Sequence, residues 1–222
     1  MTHSLTNTVR MLGAGLRALL ALTLVTGVVY PLVITGIAQG LFNGQANGSE
    51  IKADGKVVGS SLIGQNYSLP LEKGQDSPAP DLKWFQGRPQ NGLGVNSVNT
   101  QYRLILSGAT NRSGDNQELV QWVKDAKAAV VRANSTAGHT VEPSEVPADA
   151  VTSSGSGLDP DISPQYANLQ VRRVAERNGL PVAEVRSLVD EHTEGRVLGF
   201  MGEPRVNVLE LNIALKELLA RG

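Results

Sequence analysis

The sequence predicts an α+β chain with a single N-terminal transmembrane helix followed by one extracytoplasmic domain of short strands and about four helices. Three observations carry that expectation. Residues 18–38 run twenty-one positions without a charge, and at about 1.5 Å of rise per residue they make a helix of roughly 30 Å, the thickness of a bilayer's hydrocarbon core. Within 56–65, β-branched pairs sit between glycines and read as one or two short strands with a turn. Helical periods opened by capping residues follow at 116–133, 163–178, from Pro181, and from Asn207 to the C-terminus.

The apolar run divides the chain into 1–17, 18–38 and 39–222. A cleavable signal peptide would need an apolar region of about 7–15 residues and a small-x-small exit, and Ile37-Ala38-Gln39-Gly40 is a poor match, so a retained anchor is expected. Arg10 and Arg17 precede the run, and no Lys or Arg follows until Lys52. By the positive-inside rule the N-terminus stays in the cytoplasm and the bulk of the chain lies outside. Thr23, Gly27, Pro31 and Thr35 recur every fourth position, and Gly36-x-x-x-Gly40 continues the stripe. Pro31 cannot donate to the carbonyl of Gly27, and glycine there relieves the ring's clash. Two readings follow: a kinked anchor facing lipid, or a small-residue face, with Thr23, Gly27, Pro31, Thr35 and Gly36, packed against a partner's helices.

About 180 residues remain, enough for one domain with its own core. Lys and Arg number 20 against 21 Asp and Glu, so there is no broad electrostatic case for nucleic acid. The absence of cysteine excludes disulfides, thiolate catalysis, cysteine-ligated zinc and a lipoprotein anchor together.

Taken in order, 44–49 is a polar, glycine-rich exit and 70–81, with three prolines, a loop. Trp84 or Phe85 packs a strand end into the core while Arg88 stays solvated. Residues 91–114 are loop with one ordered island, Leu104-Ile105-Leu106. Asp115-x-x-Glu118 reads as a capping box for the first helix. Residues 137–147 read as a surface linker, 148–152 as a short strand and 153–160 as a tight loop. Ser163 with Pro164 opens a helix that Gly179 ends. Pro181 starts another, with Val182, Val185, Leu188 and Val189 on one face. Residues 195–200 read as a strand, 202–204 as a turn, and Asn207-x-x-Glu210 caps a last helix bearing Val208, Leu211, Leu215 and Leu218.

The catalytic templates fail one by one. The Ser/Gly loop 153–157 resembles a phosphate cradle, but it has neither the G-x-x-x-x-G-K-[ST] spacing nor a nearby lysine, and it does not spell G-x-S-x-G. A structural turn is the better reading. Asp159 and Asp161 flank Pro160 without further acidic ligands and read as turn and cap residues. His3, His139 and His192 are dispersed, with His192 placed at a helix C-terminus. A helix-turn-helix around Gly179-Leu180-Pro181 would offer Arg172, Arg173, Arg177 and Arg186 to phosphates, but Glu176, Glu184, Asp190, Glu191 and Glu194 cancel the footprint that DNA needs.

Read together, Tyr30-Pro31-Leu32, Gly59-Ser60-Ser61-Leu62-Ile63-Gly64-Gln65, Trp84-Phe85-Gln86-Gly87-Arg88-Pro89, the stretch from Val151 through Gly155-Ser156-Gly157-Leu158-Asp159-Pro160-Asp161 to Pro164, and Glu191-His192-Thr193-Glu194-Gly195-Arg196 through Gly202-Glu203-Pro204-Arg205-Val206-Asn207 to Asn212 occur in an order that closely resembles the C-subunit family of Kdp-type potassium-transporting P-type ATPases. The likeness spans essentially the whole chain. One departure is Arg112-Ser113-Gly114-Asp115, where the family more usually reads like L-G-P-T. The resemblance implies an accessory, non-catalytic subunit that joins a potassium-channel-like pore subunit and an ATP-hydrolysing P-type subunit, with a small fourth membrane subunit, in a bacterial cytoplasmic (inner) membrane. It implies that ATP and K+ are handled by those partners, with no cofactor or metal bound directly. Family members are also described as catalytic chaperones that raise the pump subunit's ATP affinity. It singles out Gly64, Gln65, Arg88, Pro89, Ser154, Ser156, Gly157, Asp159, Glu194, Arg196, Glu203 and Asn207 as family-motif loop residues. The alternative from a different class is a membrane-anchored extracytoplasmic sensor or regulator.

Overall fold

Proline at position 31 shapes the first unit. The chain is helical from Thr2 to Leu24 (α1), passes through a π-helical turn at Val25–Val29, and continues as α2, Tyr30–Leu41. Pro31 has no N–H, and its ring blocks the i→i−4 ladder; the Tyr30 N–H instead reaches five residues back to Val25 O, the bond that defines a π turn. Thr26 Oγ1 donates to Leu22 O at 2.7 Å on the same stretch. The helix Thr6–Leu41 is long and apolar enough to cross a membrane. It ends in a polar clasp in which Asn43 and Asn47 both donate to Gln39 Oε1, and a four-residue helix, α3 (Asn43–Ala46), follows.

The structure is a computed structural model that describes residues 2–70, 73, 78–89, 107, 108 and 111–221. It divides into Met1–Glu50 and Ile51–Gly222. The expected island at 104–106 lies outside the described residues.

Two small sheets are described. Strands β1 (Glu50–Ala53) and β2 (Lys56–Ser60) pair around Asp54 and Gly55, both at positive φ (51° and 74°), the left-handed pair that a tight hairpin turn requires. The glycine-spaced run therefore supplies one strand, and its partner lies upstream of the turn. The second sheet has the order β3 (Asp161–Ile162), β5 (Arg205–Asn207), β4 (Thr193–Glu194), antiparallel throughout, with Ile162 opposite Val206 and Glu194 opposite Arg205.

Helices α4 (Gln117–Asn134), α5 (Pro164–Asn178), α6 (Val182–Glu191) and α7 (Val208–Arg221) bring the described α+β unit together. Ser163 Oγ accepts from the Tyr166 N–H, Pro164 opens α5, and Gly179 closes it in the left-handed conformation (φ 67°). Asn207 Oδ1 accepts from the Glu210 N–H at the start of α7. The core runs through Val171, Val174, Val185, Val189, Val206, Leu211 and Leu215, all fully buried, with α5 packed on both α4 and α6 and α7 on α6.

Five local expectations change. The first helix is capped by Asn116, whose Oδ1 accepts from Leu119 N, while Asp115 takes a hydrogen bond from Ser113 Oγ. The cap therefore falls one residue later than the Asp115 box predicts, on the neighbouring Asn116. Residues 137–147 are not a surface linker, because Val141 and Val146 are buried there and Glu142 and Glu145 cap a 3-10 turn reciprocally. Residues 148–152 form another 3-10 turn, Ala148–Ala150, rather than a strand. Phe85 is buried as expected, but in an irregular segment and not at a strand end. The strand read at 195–200 stops at Glu194, because Leu198 (φ 54°) and Gly199 (φ 80°) both turn left-handed, which a strand cannot sustain.

Candidate functional site

Gly64, Gln65, Arg88, Ser154, Ser156, Gly157, Asp159, Glu194 and Asn207, far apart in sequence, meet in one hydrogen-bonded surface, whereas Pro89, Arg196 and Glu203 lie outside it. Gly64 N–H donates to Leu158 O at 2.7 Å, and Gln65 Nε2 to Val58 O at 2.9 Å. That geometry explains the glycine at 59: a Cβ there would fall on Gln65 Nε2 and come within 2.8 Å of Leu209 Cδ2, so β2 and α7 approach as closely as they do only without a side chain.

Arg88 is the largest departure from expectation in this group. It is not solvated: its guanidinium pairs with Asp159 Oδ2 at 3.0 Å and reaches the carbonyls of Thr152 and Ser153 at 3.4 Å. It thereby clamps the Ser/Gly loop from the side. The loop also closes on itself. Ser156 Oγ accepts from Leu158 N, Ser154 Oγ accepts from Asp159 N, Asp159 Oδ1 accepts from Asp161 N, and Gly157 sits at φ 68° with its N–H on Ser154 O. The amides of Gly157, Leu158, Asp159 and Asp161 are thus paired within the chain, which supports the structural-turn reading.

Asp161 and Asn207 join this surface to the three-stranded sheet. Asn207 Nδ2 donates to Ser61 O (2.9 Å) and Asp161 Oδ1 (3.3 Å), and Arg205 bridges Asp161 and Glu194. Burial raises the Asp161 carboxyl above its ordinary range, outweighing Arg205, with Asp159 adding repulsion. A carboxyl raised in the folded state holds its proton more tightly than in the unfolded chain, so this group withdraws stability as pH climbs through its ordinary pKa of about 3.9. Beyond β4, Arg196 pairs with Glu203 at 2.9 Å, and Pro89 lines a separate cleft.

That cleft, about 300 Å³, lies between α4 and the 80–89 segment and is lined by Ala129, Val130, Arg88, Tyr166 and Arg173 among others. Its floor holds a network that the sequence reading missed. Arg173, offered above to phosphates, is 2% exposed. It donates through Nε to Asn134 Oδ1 (2.9 Å), through Nη1 to the carbonyls of Leu82 and Trp84, and through Nη2 to Gln170 Oε1 (2.6 Å). Gln170 also brackets Gln86, accepting from its N–H and donating to its carbonyl, and Asn212 does the same for Phe85 at 2.9 Å each way. The segment 82–86 is thus held as a strand would be, but by side chains. Burial lowers the Arg173 guanidinium to about 10, so it remains charged at neutral pH, and raises the Tyr166 hydroxyl to about 12. A signal was available: Gln170 and Arg173 fall on the same helical face as Tyr166 and Val174, and Asn212 shares the apolar side of the last helix with Val208, Leu211 and Leu215.

The divergent loop has its own support. Arg112 pairs with Glu118 at 2.5 Å and lies 4.6 Å from the Trp122 ring centre, while Gly108 N–H donates to Ser156 O. His192 caps α6, its Nδ1 2.8 Å from Leu188 O. Among the described residues, no group of three His, Cys, Asp or Glu is placed to hold a metal ion. Along the apolar helix, a Cβ on Gly27 would touch only Thr23 Cγ2 at 4.0 Å, and one on Gly36 would meet nothing within 4 Å, so no neighbouring side chain crowds either position.

Fold and site together describe an α+β chain with one long apolar N-terminal helix, in which the described motif residues hold the chain's own loops in register. Residues 12–217 match the family model described as K+-transporting ATPase, c chain, KdpC. The chain is 78% identical over 220 residues to a potassium-transporting ATPase KdpC subunit of Streptomyces avermitilis, covering 99% of each. It is 74% identical over 222 residues to that of Streptomyces coelicolor and 48% identical over 191 residues to that of Caldanaerobacter subterraneus, covering 99% and 86% of those relatives and 100% and 86% of this chain. The chain belongs to the KdpC family, and as such is a subunit of a potassium-transporting ATPase that works with other subunits.

Proposed function

We propose that the chain is an accessory, non-catalytic subunit of an ATP-driven potassium uptake complex, assembling or stabilising a potassium-channel-like pore subunit with the ATP-hydrolysing P-type subunit. A small fourth membrane subunit completes the set. The chain crosses the bacterial cytoplasmic membrane once, N-terminus inside and folded unit outside, and leaves ATP and K+ to its partners. The observation that carries this reading is the use of the motif residues: Arg88, Ser154, Ser156, Asp159 and Asn207 are occupied with the chain's own backbone and side chains. The small-residue face around Gly27 supports docking in the membrane, because no side chain of the chain itself fills the space beside that glycine. A catalytic-chaperone role that raises the pump's ATP affinity fits less well, since ATP is cytoplasmic and the arginines flank the cytoplasmic side of the helix.

The experiment is purification through a tag on this chain in mild detergent. A potassium-pore-type subunit and a P-type ATPase subunit should co-purify, and ATP hydrolysis should track the latter, with none from this chain alone. Recovery of the chain by itself, or ATP turnover by it, would overturn the proposal.

A further inference from the structure

The cleft between α4 and the 80–89 segment has a polar floor whose donors the fold does not use up. One face of α4 forms its wall, Ala126, Ala129, Val130 and Ala133 at helical spacing, with Leu82 and Pro89 from the facing segment. At the floor, Arg173 spends four of its five N–H groups on Asn134, Leu82, Trp84 and Gln170, all neutral acceptors, and the fifth, on Nη2, has no acceptor among the described residues. No carboxylate of the described residues forms an ion pair with it, and none lines the cleft; Asp81 is felt only at longer range. Arg88, the other lining cation, is already neutralised by Asp159 at 3.0 Å. Tyr166 stands seven residues before Arg173 on the same face of α5, and each feels the other's charge. Its side chain is 4% exposed, and its hydroxyl makes no hydrogen bond among the described residues. Because no fully buried side-chain oxygen of those residues lacks a partner, that hydroxyl reaches solvent, and it does so through the cleft that the residue lines.

We propose that this cleft is a binding site for a small monocarboxylate with a short hydrocarbon body, its carboxylate held by Arg173 Nη2 and the Tyr166 hydroxyl and its body lying against the alanines of α4. Charge selects the ligand. A buried guanidinium with only neutral partners is costly, and one negative charge offsets that cost. The two spare donors, one N–H and one O–H, match the two oxygens of a carboxylate. A phosphate dianion would bring a third oxygen and a second charge, and the lining residues hold no second unpaired cation to receive them. Arg173, lowered to about 10, is charged at neutral pH, and Tyr166, raised to about 12, keeps its proton to donate. The walls select the rest of the molecule, since alanine and valine side chains favour a hydrocarbon over water or a bare halide. Size sets the limit. About 300 Å³ lies at the floor of the roughly 300–1,000 Å³ range of ligand clefts, which suits a body of a few carbons. Binding of this kind requires only the folded unit and does not depend on the assembly role proposed above.

The test titrates valerate into the full chain in non-ionic detergent at neutral pH, with calorimetry and the melting temperature as readouts. Saturable binding and a rise in melting temperature are expected, because a ligand that binds only the folded state stabilises it. Valeramide, which has the same body without the charge, and chloride at the same ionic strength should give neither. Tyr166→Phe should leave the melting temperature of the free chain unchanged, since the hydroxyl bonds nothing there, and should weaken valerate about ten-fold, the order expected for one hydrogen bond to a charged group. Ala129→Leu, at an exposed position of α4, fills the cleft without entering the core and should abolish binding with the free chain's melting unchanged. No saturable binding, equal binding of valeramide or chloride, or unaltered valerate affinity in either variant overturns the inference. Failure of the other subunits to co-purify bears only on the proposed function and leaves this site standing.

Discussion

Replacing Arg173 with alanine is expected to lower the free energy of unfolding by about 3–5 kcal/mol, the range for breaking a buried, fully hydrogen-bonded charged group. The guanidinium serves four acceptors, the carbonyls of Leu82 and Trp84 and the side-chain oxygens of Asn134 and Gln170. Gln170 Oε1 keeps the Gln86 N–H and the Trp84 carbonyl keeps Gln86 Nε2, but the Leu82 carbonyl and Asn134 Oδ1 lose their donor beside a side chain of 2% exposure, and each buried unpaired acceptor costs roughly 1–3 kcal/mol. Trp84 lies on the segment that would loosen, so denaturant unfolding in detergent can be followed by its fluorescence. Arg173→Met restores much of the volume and none of the donors, and should recover little; Arg173→Lys should recover part. A loss below about 1 kcal/mol on Arg173→Ala would mean that the network is not what holds 82–86 in place.

Gly27→Leu should leave the helix intact and remove the docking proposed for it. The new side chain meets only Thr23 Cγ2 near 4.0 Å within the chain, and leucine favours insertion, so neither folding nor membrane entry should suffer. At a contact between helices the added bulk blocks close backbone approach, the source of attraction where lipid removes the hydrophobic drive. A cost of about 1–2 kcal/mol translates into roughly ten-fold lower recovery of the other subunits. Leu22→Ile, on the far side of the helix from Gly27, should be nearly silent. Equal recovery for both variants would reduce the helix to an anchor and leave assembly to the folded unit.

Local chemistry was the legible part of this chain. Ser163, Pro164, Gly179 and Asn207 act within three or four residues of themselves, so their caps and stops can be read from spacing alone. Asp54-Gly55 is an equally local signal, a hairpin dipeptide that marks the partner of β2 upstream of the turn. The rest depends on distant partners. Arg88 looked solvated because Asp159 lies 71 positions away, and Arg173 looked like a surface cation because its acceptors are backbone carbonyls of a segment some 90 residues upstream. Glycine and proline at 137–147 suggested exposure, yet Val141 and Val146 are buried, since composition reports the turns and not the side chains between them. The 195–200 segment reads as strand because apolarity alone does not reveal positive φ at Leu198.

The proposed role requires the folded unit to work outside the membrane, away from nucleotide. In a protein without cysteine, Ala137→Cys introduces a single thiol at an exposed position in the turn closed by the Thr136–His139 bridge. Treating intact cells with a membrane-impermeant thiol reagent reads its location directly. Labelling in intact cells, equal to that after lysis, is the predicted result. Labelling that appears only after lysis would contradict the account, place the unit beside ATP, and restore the catalytic-chaperone role to first place.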